Sequence, residues 1–351
     1  MSCFMKARIM AIRQPLSKLP QLRITVNSRC GRRCFFCRPS GEALATPAGT
    51  ALDRATIAKV VTSYVKCGGK FVKLTGGEPA IWPDLVSCVT DLKHEIGVEE
   101  LHVISRHPSI GITAPSLATA GVDLINISVD TLNTQLHQEI TGVPDLTKIL
   151  DAVKQCVDTG VPVKINTVVM KGINDEQLDK LVEFCENVGV QSLKLLDTIA
   201  DLGTGSESNT NHLYQLRGQS LEYLHCNLDD LIAPYRERAI HTRIFGQGDL
   251  GHPMLGLTLA SGLEIVVKDR NAGAWYGSIC NGCHYYPCHD ALMAIRLTSD
   301  SRLQFCLLNE DVAIDLAPHL TADQKTITKV MESALAVYDK AHFVCEVMEA
   351  I

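Results

Sequence analysis

Six short runs rich in β-branched and apolar residues alternate with amphipathic helical patterns, and this alternation constrains the fold more than any other feature. Strands that alternate with such helices form parallel β/α units. Six units within about 200 residues suit an open or partial barrel, or a doubly wound sheet. We predict an α/β fold built on a partial (β/α)6 TIM-like barrel. The predicted strands are Leu22–Asn27, Phe71–Thr75, Leu101–Ser105, Leu124–Asp130, Val163–Met170 and Ser192–Asp197.

The pattern changes after Ile199, where a polar, glycine-bearing segment predicts a linker. Beyond it the sequence predicts a short helix near 221–231, a hairpin around Ser261-Gly262 and a helix over about 321–341. We therefore expect a barrel domain over residues 15–200, a linker and helix over 201–240, and a smaller C-terminal α+β domain over 241–351. Within the barrel, Asp84 and Asn174 precede helical patterns and are expected to be N-caps.

Composition and charge exclude several classes of protein. The 351 residues are 46% hydrophobic and 21% charged, an ordinary globular balance with enough apolar material for a sizeable core. The net charge of -6 argues against a nucleic-acid partner. No apolar run reaches the length of a signal peptide or of a membrane span, which predicts a cytoplasmic protein with no membrane partner. In that reducing compartment, clustered cysteines indicate metal binding or catalysis rather than disulfides.

The fourteen cysteines include an early group, Cys30, Cys34 and Cys37, spaced C-x3-C-x2-C directly after the first predicted strand. At that position the group would lie at the carboxyl end of a barrel strand, where barrel enzymes carry their chemistry. A structural zinc site has four protein ligands, and this segment offers three cysteines. Three thiolates on a cubane iron–sulfur cluster leave one iron able to bind something else.

Three further segments follow in order at strand ends: TGGEP (Thr75–Pro79), NISVD (Asn126–Asp130) and KIN (Lys164–Asn166). Together with the cysteines they resemble the radical S-adenosylmethionine (radical SAM) enzymes. The resemblance implies that the three cysteines hold a [4Fe–4S] cluster whose open iron binds SAM. An electron from a flavodoxin- or ferredoxin-like reductant then yields a 5′-deoxyadenosyl radical. The residues implied in SAM binding are Gly76, Gly77, Glu78, Pro79, Ser105, Ser128 and Asn166.

The cofactor carries the radical chemistry in this resemblance, so no side chain is assigned a catalytic role of its own. We expect Gly76 and Gly77 to let the main chain approach a ligand closely, because glycine adopts backbone conformations closed to other residues. On that ground, a bulky residue at Gly77 is expected to weaken SAM binding without removing the cluster.

Within the superfamily, the segment from Leu22 to Leu308 is most similar to the GTP cyclases of molybdenum-cofactor biosynthesis. That similarity implies a second [4Fe–4S] cluster in the C-terminal domain, held by three late cysteines. Arg296 stands ten residues before Cys306, which matches the family spacing. The late group is Cys280, Cys283, Cys288 and Cys306. Cys288 lies in an insertion and is a candidate fourth ligand, while His284 and His289 keep a structural zinc site open as an alternative.

The same similarity implies a basic set that binds the substrate: Arg23, Lys73, Lys164, Lys194 and Arg296. Lys73 and Lys194 stand where the family has arginine, and Phe71 stands where it has lysine. Arg106-His107 replaces an Asn-Gly turn, and the sequence ends CEVMEAI instead of with the family's Gly-Gly.

We therefore expect a small anionic, nucleotide-like substrate, other than GTP on that route, that undergoes a biosynthetic cyclisation or rearrangement. The alternatives are a peptide-modifying radical SAM maturase, a true GTP cyclase and, from a different class, a zinc-binding interaction protein.

Overall fold

The computed structural model describes residues 6–12, 19–34, 36–37, 49–198, 215–216, 219–220, 223–245, 250–268, 273–288, 291–309 and 311–349. The strands in these ranges are β1 (Lys6–Ile12), β2 (Gln21–Thr25), β3 (Phe71–Thr75), β4 (Glu100–Ser105), β5 (Leu124–Ser128), β6 (Val163–Val168), β7 (Ser192–Leu196), β8 (Gln215–Leu216), β9 (Gln219–Ser220), β10 (His241–Phe245), β11 (Met254–Thr258), β12 (Glu264–Lys268), β13 (Ala274–Tyr276), β14 (Ala294–Leu297), β15 (Arg302–Gln304), β16 (Ala313–Asp315) and β17 (His342–Glu349). The α-helices are α1 (Arg54–Lys66), α2 (Leu85–Thr90), α3 (Ser109–Thr119), α4 (Thr134–Thr141), α5 (Leu146–Asp158), α6 (Leu178–Val188), α7 (Leu228–Arg238) and α8 (Gln324–Ala336).

Most strands join one twelve-stranded sheet, in the order β10-β11-β12-β7-β6-β5-β4-β3-β2-β14-β15-β16. The six predicted strands are β2 to β7, and neighbouring strands among them run parallel. The sheet curls into a half-barrel, which confirms the predicted TIM-like α/β fold. Strands from the C-terminal part extend it at both edges, because β14 pairs in parallel with β2 and β12 with β7. The domain boundaries stay a prediction.

The two faces of the barrel sheet differ in chemistry because successive side chains of a strand point to opposite faces. On β2, Leu22 and Ile24 are fully buried in the apolar core, which also contains the apolar stripes of α1, α5 and α6. The alternate positions on the other face are polar or charged, as at Arg23 and Lys73. The helices therefore cover one face, and the opposite face is left for binding.

Several local predictions were wrong at helix starts. Asp84 makes no capping hydrogen bond with its side chain, although α2 does begin at Leu85. Asn174 does not cap α6, which begins only at Leu178 after a 3-10 turn. Its side-chain amide instead accepts from Met170 N at 2.7 Å and donates to the Asp130 carbonyl at 2.7 Å. The asparagine therefore ties two loops together, a role that depends on tertiary contact.

The sequence analysis also missed β1, α3 and α4. β1 pairs antiparallel with β17, from Lys6 opposite Glu349 to Ile12 opposite Phe343. β17 also pairs with β13, so the first and last strands described form a second sheet with the C-terminal part of the chain. Among the described residues, no helix combines the length and the apolar character needed to cross a membrane.

Candidate active site

The early cysteines lie on the loop that follows β2. Cys34 is buried, whereas Cys30 and Cys37 are exposed, and Cys37 N donates to the Cys34 carbonyl at 2.9 Å. Burial raises the pKa of the Cys34 thiol to about 12, with Arg106 opposing the shift. Such a thiol stays protonated at neutral pH unless a metal displaces the proton. The loop thus offers three cysteines within eight residues, next to the carboxyl end of β2.

An ion pair fixes this loop to the barrel. The Arg32 guanidinium donates to both carboxylate oxygens of Asp145, at 2.9 and 2.7 Å, and its side chain is almost fully buried. His137 Nε2 lies 3.1 Å from Asp145 Oδ1, and Arg33 N donates to the Thr141 carbonyl at 2.9 Å. A bidentate arginine–carboxylate contact fixes orientation as well as distance. No local sequence pattern predicts this contact, since its partners lie 113 residues apart.

The two glycines of TGGEP pack directly against the cysteine loop. Gly77 N donates to the Asn27 carbonyl at 2.7 Å. A Cβ placed on Gly76 would lie 2.5 Å from Asn27 O, and one on Gly77 would lie 2.1 Å from Arg29 O. The expected reason for these glycines was a close approach to a ligand. The structure shows that both glycines closely approach the main chain that leads into Cys30, and a side chain there would displace that loop. The approach to a ligand stays a prediction.

Glu78 joins the carboxyl ends of β3 and β4. Its carboxylate is buried and accepts from Ser105 Oγ at 2.6 Å, from Arg106 N at 2.8 Å and from Ala80 N at 2.9 Å. Pro79 is likewise buried and begins a short 3-10 turn. The Ser105 hydroxyl therefore helps to fix the position of the Glu78 carboxylate.

Ser128 and Asn166 lie side by side, at paired positions of β5 and β6. Asn166 Oδ1 is buried and has no hydrogen-bond partner among the described residues, and the same is true of Asn126 Nδ2. Buried polar atoms are almost always paired in native proteins. An acceptor and a donor left open on the polar face of the sheet fit a polar ligand, and Asn166 is one of the residues predicted to contact SAM.

Arg106, unassigned in the sequence analysis, lies between the cysteine loop and the end of β5. Its guanidinium donates to Asp130 Oδ2 and sits 5.5 Å from the centre of the Phe36 ring. Asp130 is buried, and its other carboxylate oxygen accepts from Val168 N at 2.9 Å. The Arg106 guanidinium lowers the pKa of the nearby Cys34 thiol, whereas the Asp130 carboxylate raises it by a smaller amount.

The predicted basic set lies on the polar face of the sheet, within the strands and not at their carboxyl ends. Arg296, Arg23 and Lys73 are neighbours across β14, β2 and β3. Lys164 is the second residue of β6, and Lys194 is the middle residue of β7. Each of these side chains alternates with buried apolar neighbours along its strand, which places it on the face opposite the helices.

Electrostatics shows that these cations share one environment. Burial, together with Arg23, Lys194 and Lys164, lowers the pKa of Lys73 well below its usual value. Burial and neighbouring cations lower the pKa of Lys194 to about 7. Burial lowers the pKa of Lys164, and Glu264 and Glu100 partly offset this effect because both raise that pKa.

The four late cysteines line one cavity of about 410 Å³, part of it open to solvent. Cys283 N donates to the Cys280 carbonyl at 3.2 Å, and Leu308 N donates to Cys306 Sγ at 3.3 Å. His284 is exposed and does not line the cavity, and His289 lies outside the described residues. In the described ranges no three His, Cys, Asp or Glu side chains converge on a single ion. All four late cysteines therefore share one cavity.

The two cysteine sites lie toward opposite ends of the barrel strands. Cys30 follows the carboxyl end of β2, at Thr25. At the other end, Ala294 pairs with Gln21, the first residue of β2. Because β15 runs antiparallel to β14, Cys306 follows β15 on that amino-terminal side. The strand between Gln21 and Thr25 spans about 13 Å, and Arg23 lies midway along it.

Comparisons with known proteins show what this chain is similar to. The family model described as "Radical SAM superfamily" matches residues 24–185. The chain is 30% identical over 306 residues to the "Probable GTP 3',8-cyclase" of Sulfurisphaera tokodaii, covering 87% of this chain and 86% of the relative. It is 28% identical over 318 residues to the protein of the same name from Thermococcus kodakarensis, covering 90% of this chain and 94% of the relative.

Solved structures share the fold. "Native anSMEcpe with bound AdoMet" superposes with a TM-score of 0.57 at 13% identity, covering 91% of this chain and 80% of that one. Streptococcus suis SuiB bound to S-adenosylmethionine gives a TM-score of 0.54 at 16% identity, covering 83% of this chain. The chain spans 61% of the SuiB chain, less than two thirds of its length.

Proposed function

This chain belongs to the radical SAM superfamily and is a radical SAM enzyme, and from that premise we propose that it abstracts hydrogen from a small anionic, nucleotide-like substrate. The family uses a [4Fe–4S] cluster and SAM. When bound, they supply a 5′-deoxyadenosyl radical, and the abstraction would start a cyclisation or rearrangement of the substrate. The protein's part is to bind, orient and exclude water.

The residues present fit the cofactor. Cys30, Cys34 and Cys37 would hold the cluster, on a loop that is clamped by Arg32 and packed against the glycines of TGGEP. The open amide oxygen of Asn166 would accept a hydrogen bond from SAM. Glu78 is held in one position by three donors, which suits it to orient the charged amino group of a ligand.

The observation that carries the substrate class is the cationic set on the polar face of the sheet. Lys73 is buried, and the like charges of Arg23, Lys194 and Lys164 lower its pKa further. Like charges gathered away from water are costly unless an anion neutralises them. Phosphate is the anion that arginine and lysine commonly bind in proteins. These residues therefore support a phosphorylated substrate, held between the two cysteine sites.

The nucleotide we propose is one other than GTP. Arg23, Lys164 and Arg296 match the residues that the GTP cyclases have at these positions. Lys73 and Lys194 stand where the cyclases have arginine, and a lysine ammonium is a point charge that cannot bind phosphate bidentately as a guanidinium does. Phe71 removes a further cation, and its ring instead packs 4.7 Å from Lys73 Nζ. A GTP 3′,8-cyclase is the second candidate, favoured by the names of the relatives from Sulfurisphaera tokodaii and Thermococcus kodakarensis.

An anaerobic turnover assay tests the proposal. Reconstituted enzyme is given SAM, a flavodoxin or ferredoxin reductant and a panel of nucleotides that includes GTP, each beside its unphosphorylated nucleoside. We expect 5′-deoxyadenosine release to rise with one phosphorylated nucleotide and not with its nucleoside. Release that is stimulated equally by both would contradict an anion site. Cyclisation of GTP, or rescue of a strain lacking the GTP cyclase, would favour the second candidate.

The proposed partners are this reductant and the small substrate, with no nucleic acid or membrane. Electron delivery by a flavodoxin- or ferredoxin-like protein fits the reducing cytoplasm, in which we place the enzyme. Oxygen exposure is expected to destroy activity together with the iron–sulfur absorbance.

A further inference from the structure

We propose that Cys288 is the fourth thiolate of a second iron–sulfur cluster, which Cys280, Cys283 and Cys306 also bind, so that no iron of this cluster is open to substrate. The second cluster is the one that the resemblance to the GTP cyclases implies, and its consequence for the substrate rests on the function proposed above. The number of ligands decides the role of the site. Four thiolates complete the coordination of a cubane, and three leave one iron available.

Cys288 belongs to the cavity on structural grounds. It lines the same cavity as the other three cysteines. Its carbonyl accepts from the Tyr276 hydroxyl at 3.0 Å, which ties this part of the insertion to β13. Cys280 and Cys288 also both pack against one small apolar cluster, formed by Ala274, Tyr276, Ala291 and Val344. Cys288 therefore lies at the same cavity as Cys280 and Cys283, the cysteines of the C-x2-C pair.

The cavity has the chemistry of a cluster site. Apolar and aromatic side chains make up most of the lining, among them Ile279, Leu292 and Leu308. Hydrogen bonds to the sulfurs and limited solvent access set the potential of such clusters. Leu308 N supplies one, to Cys306 Sγ at 3.3 Å. Of the two histidines that could compete, His284 is exposed and lies outside the lining.

A closed cluster changes how substrate is held. A nucleotide could not bind through an iron atom, so its affinity would come from the cationic set on the barrel sheet. The late cluster would then act without direct contact to the reacting bond. Spectra of the late cluster should therefore be insensitive to the anion that fills the barrel.

The test uses the full chain with Cys30, Cys34 and Cys37 all changed to Ala, which leaves the late cluster alone. In this background Cys288→Ala is compared with the matched control Cys345→Ala, since Cys345 lies on β17 and does not line the cavity. Iron, sulfide and zinc are measured per chain, and each protein is then oxidised mildly. Loss of one Fe2+ and one electron converts [4Fe–4S]2+ into [3Fe–4S]+, which EPR detects.

The background and the Cys345→Ala protein should each carry about four iron atoms and resist conversion. The Cys288→Ala protein should convert several-fold more readily, or lose its iron while its circular dichroism stays that of the folded chain. Equal conversion of Cys288→Ala and the background would overturn the proposal, as would zinc without sulfide in the background. SAM cleavage by the unaltered enzyme is measured separately, so failure here is distinct from failure of the proposed function.

Discussion

The early and late cysteine sites are built differently, although each is centred on thiols close in sequence. The early loop places Cys30 and Cys37 in solvent and surrounds them with charged and polar groups such as Glu78 and Arg106. The late site places four cysteines around a cavity with a mainly apolar lining. The early loop is clamped from outside by an ion pair, whereas the late site is fixed by apolar packing and main-chain hydrogen bonds.

This difference separates two tasks. A cluster that reacts needs an open coordination position and polar groups that orient a ligand. Glu78 follows Gly77, which packs against the early loop, and Asn166 has an open amide oxygen on the polar face of the sheet. A cluster that is closed needs a full set of thiolates and protection from water. The cationic residues lie between the two ends of the strands, where an anion can reach the early site without binding the late one.

The largest expected effect follows from removing the early thiols. Changing Cys30, Cys34 and Cys37 together to Ala should abolish SAM cleavage and remove about four iron atoms per chain, because the loop then has no cluster ligands. Iron analysis and a 5′-deoxyadenosine assay measure both. Cys67→Ala, at the end of α1, is the matched control and should retain the full iron content. Unchanged iron in the triple variant would disprove the ligand assignment.

Gly77→Val should also remove the cluster bound by the early cysteines, without affecting the one bound by the late cysteines. A Cβ at Gly77 would lie 2.1 Å from Arg29 O, so the chain before Cys30 must shift. We expect loss of SAM cleavage and of the early cluster's iron, in contrast to the sequence-based expectation that only SAM binding weakens. Gly31→Ala is the control in the same loop, since a Cβ there meets nothing within 4 Å. Full iron content in Gly77→Val would show that the loop adapts.

Asn166→Ala should weaken SAM binding without loss of iron. The open amide oxygen of Asn166 is predicted to accept one hydrogen bond from SAM. Loss of such a bond costs about 1–1.5 kcal/mol, which corresponds to about a tenfold rise in the dissociation constant. Equilibrium binding to the reconstituted protein measures it, with the exposed Asn187→Ala as the control. Unaltered affinity in Asn166→Ala would remove this residue from the SAM site.

Lys194→Met should give the smallest effect, a gain in stability without ligand. The pKa of Lys194 falls to about 7 in the folded protein, through burial and neighbouring cations. The unfolded chain, with its ordinary lysine pKa near 10.4, therefore binds more protons between those values. Burial of this lysine therefore lowers the free energy of unfolding by its full amount below about pH 7, and this effect disappears as the pH rises toward 10.4.

Thermal unfolding of the ligand-free protein measures this cost. Lys194→Met should raise the midpoint by about 2–4 °C at pH 7 and leave it nearly unchanged near pH 10. The same variant should bind the anionic substrate more weakly. Lys180→Met, on the surface of α6, serves as the control. A Lys194→Met protein that is less stable at pH 7 would contradict the account of the cationic set.

Patterns local in sequence predicted much of this molecule. Alternating apolar runs located β2 to β7, and the spacing of Cys30, Cys34 and Cys37 with TGGEP located the early site. α3 escaped notice because it contains Pro115 and lacks a clear polar stripe. β1 could not be found alone, since its hydrogen-bond partner β17 lies at the other end of the chain.

The support of the site depends on tertiary contacts and was missed for that reason. Ser105 is predicted to contact SAM, and only the folded chain shows that its hydroxyl also donates to Glu78, 27 residues earlier. The clamp between Arg32 and Asp145 gives no periodic or spacing signal. The glycines of TGGEP were recognised correctly as a motif, but only the folded chain shows that Arg29 is what they make room for.

The most direct test of the central claim, an open early site and a closed late one, is the response of each cluster to SAM. Two proteins are compared by EPR in the reduced state: one with Cys280, Cys283, Cys288 and Cys306 changed to Ala, and one with Cys30, Cys34 and Cys37 changed to Ala. The account predicts that SAM shifts the g values of the first protein and leaves those of the second unchanged. A shift in the second protein, or none in the first, would contradict it.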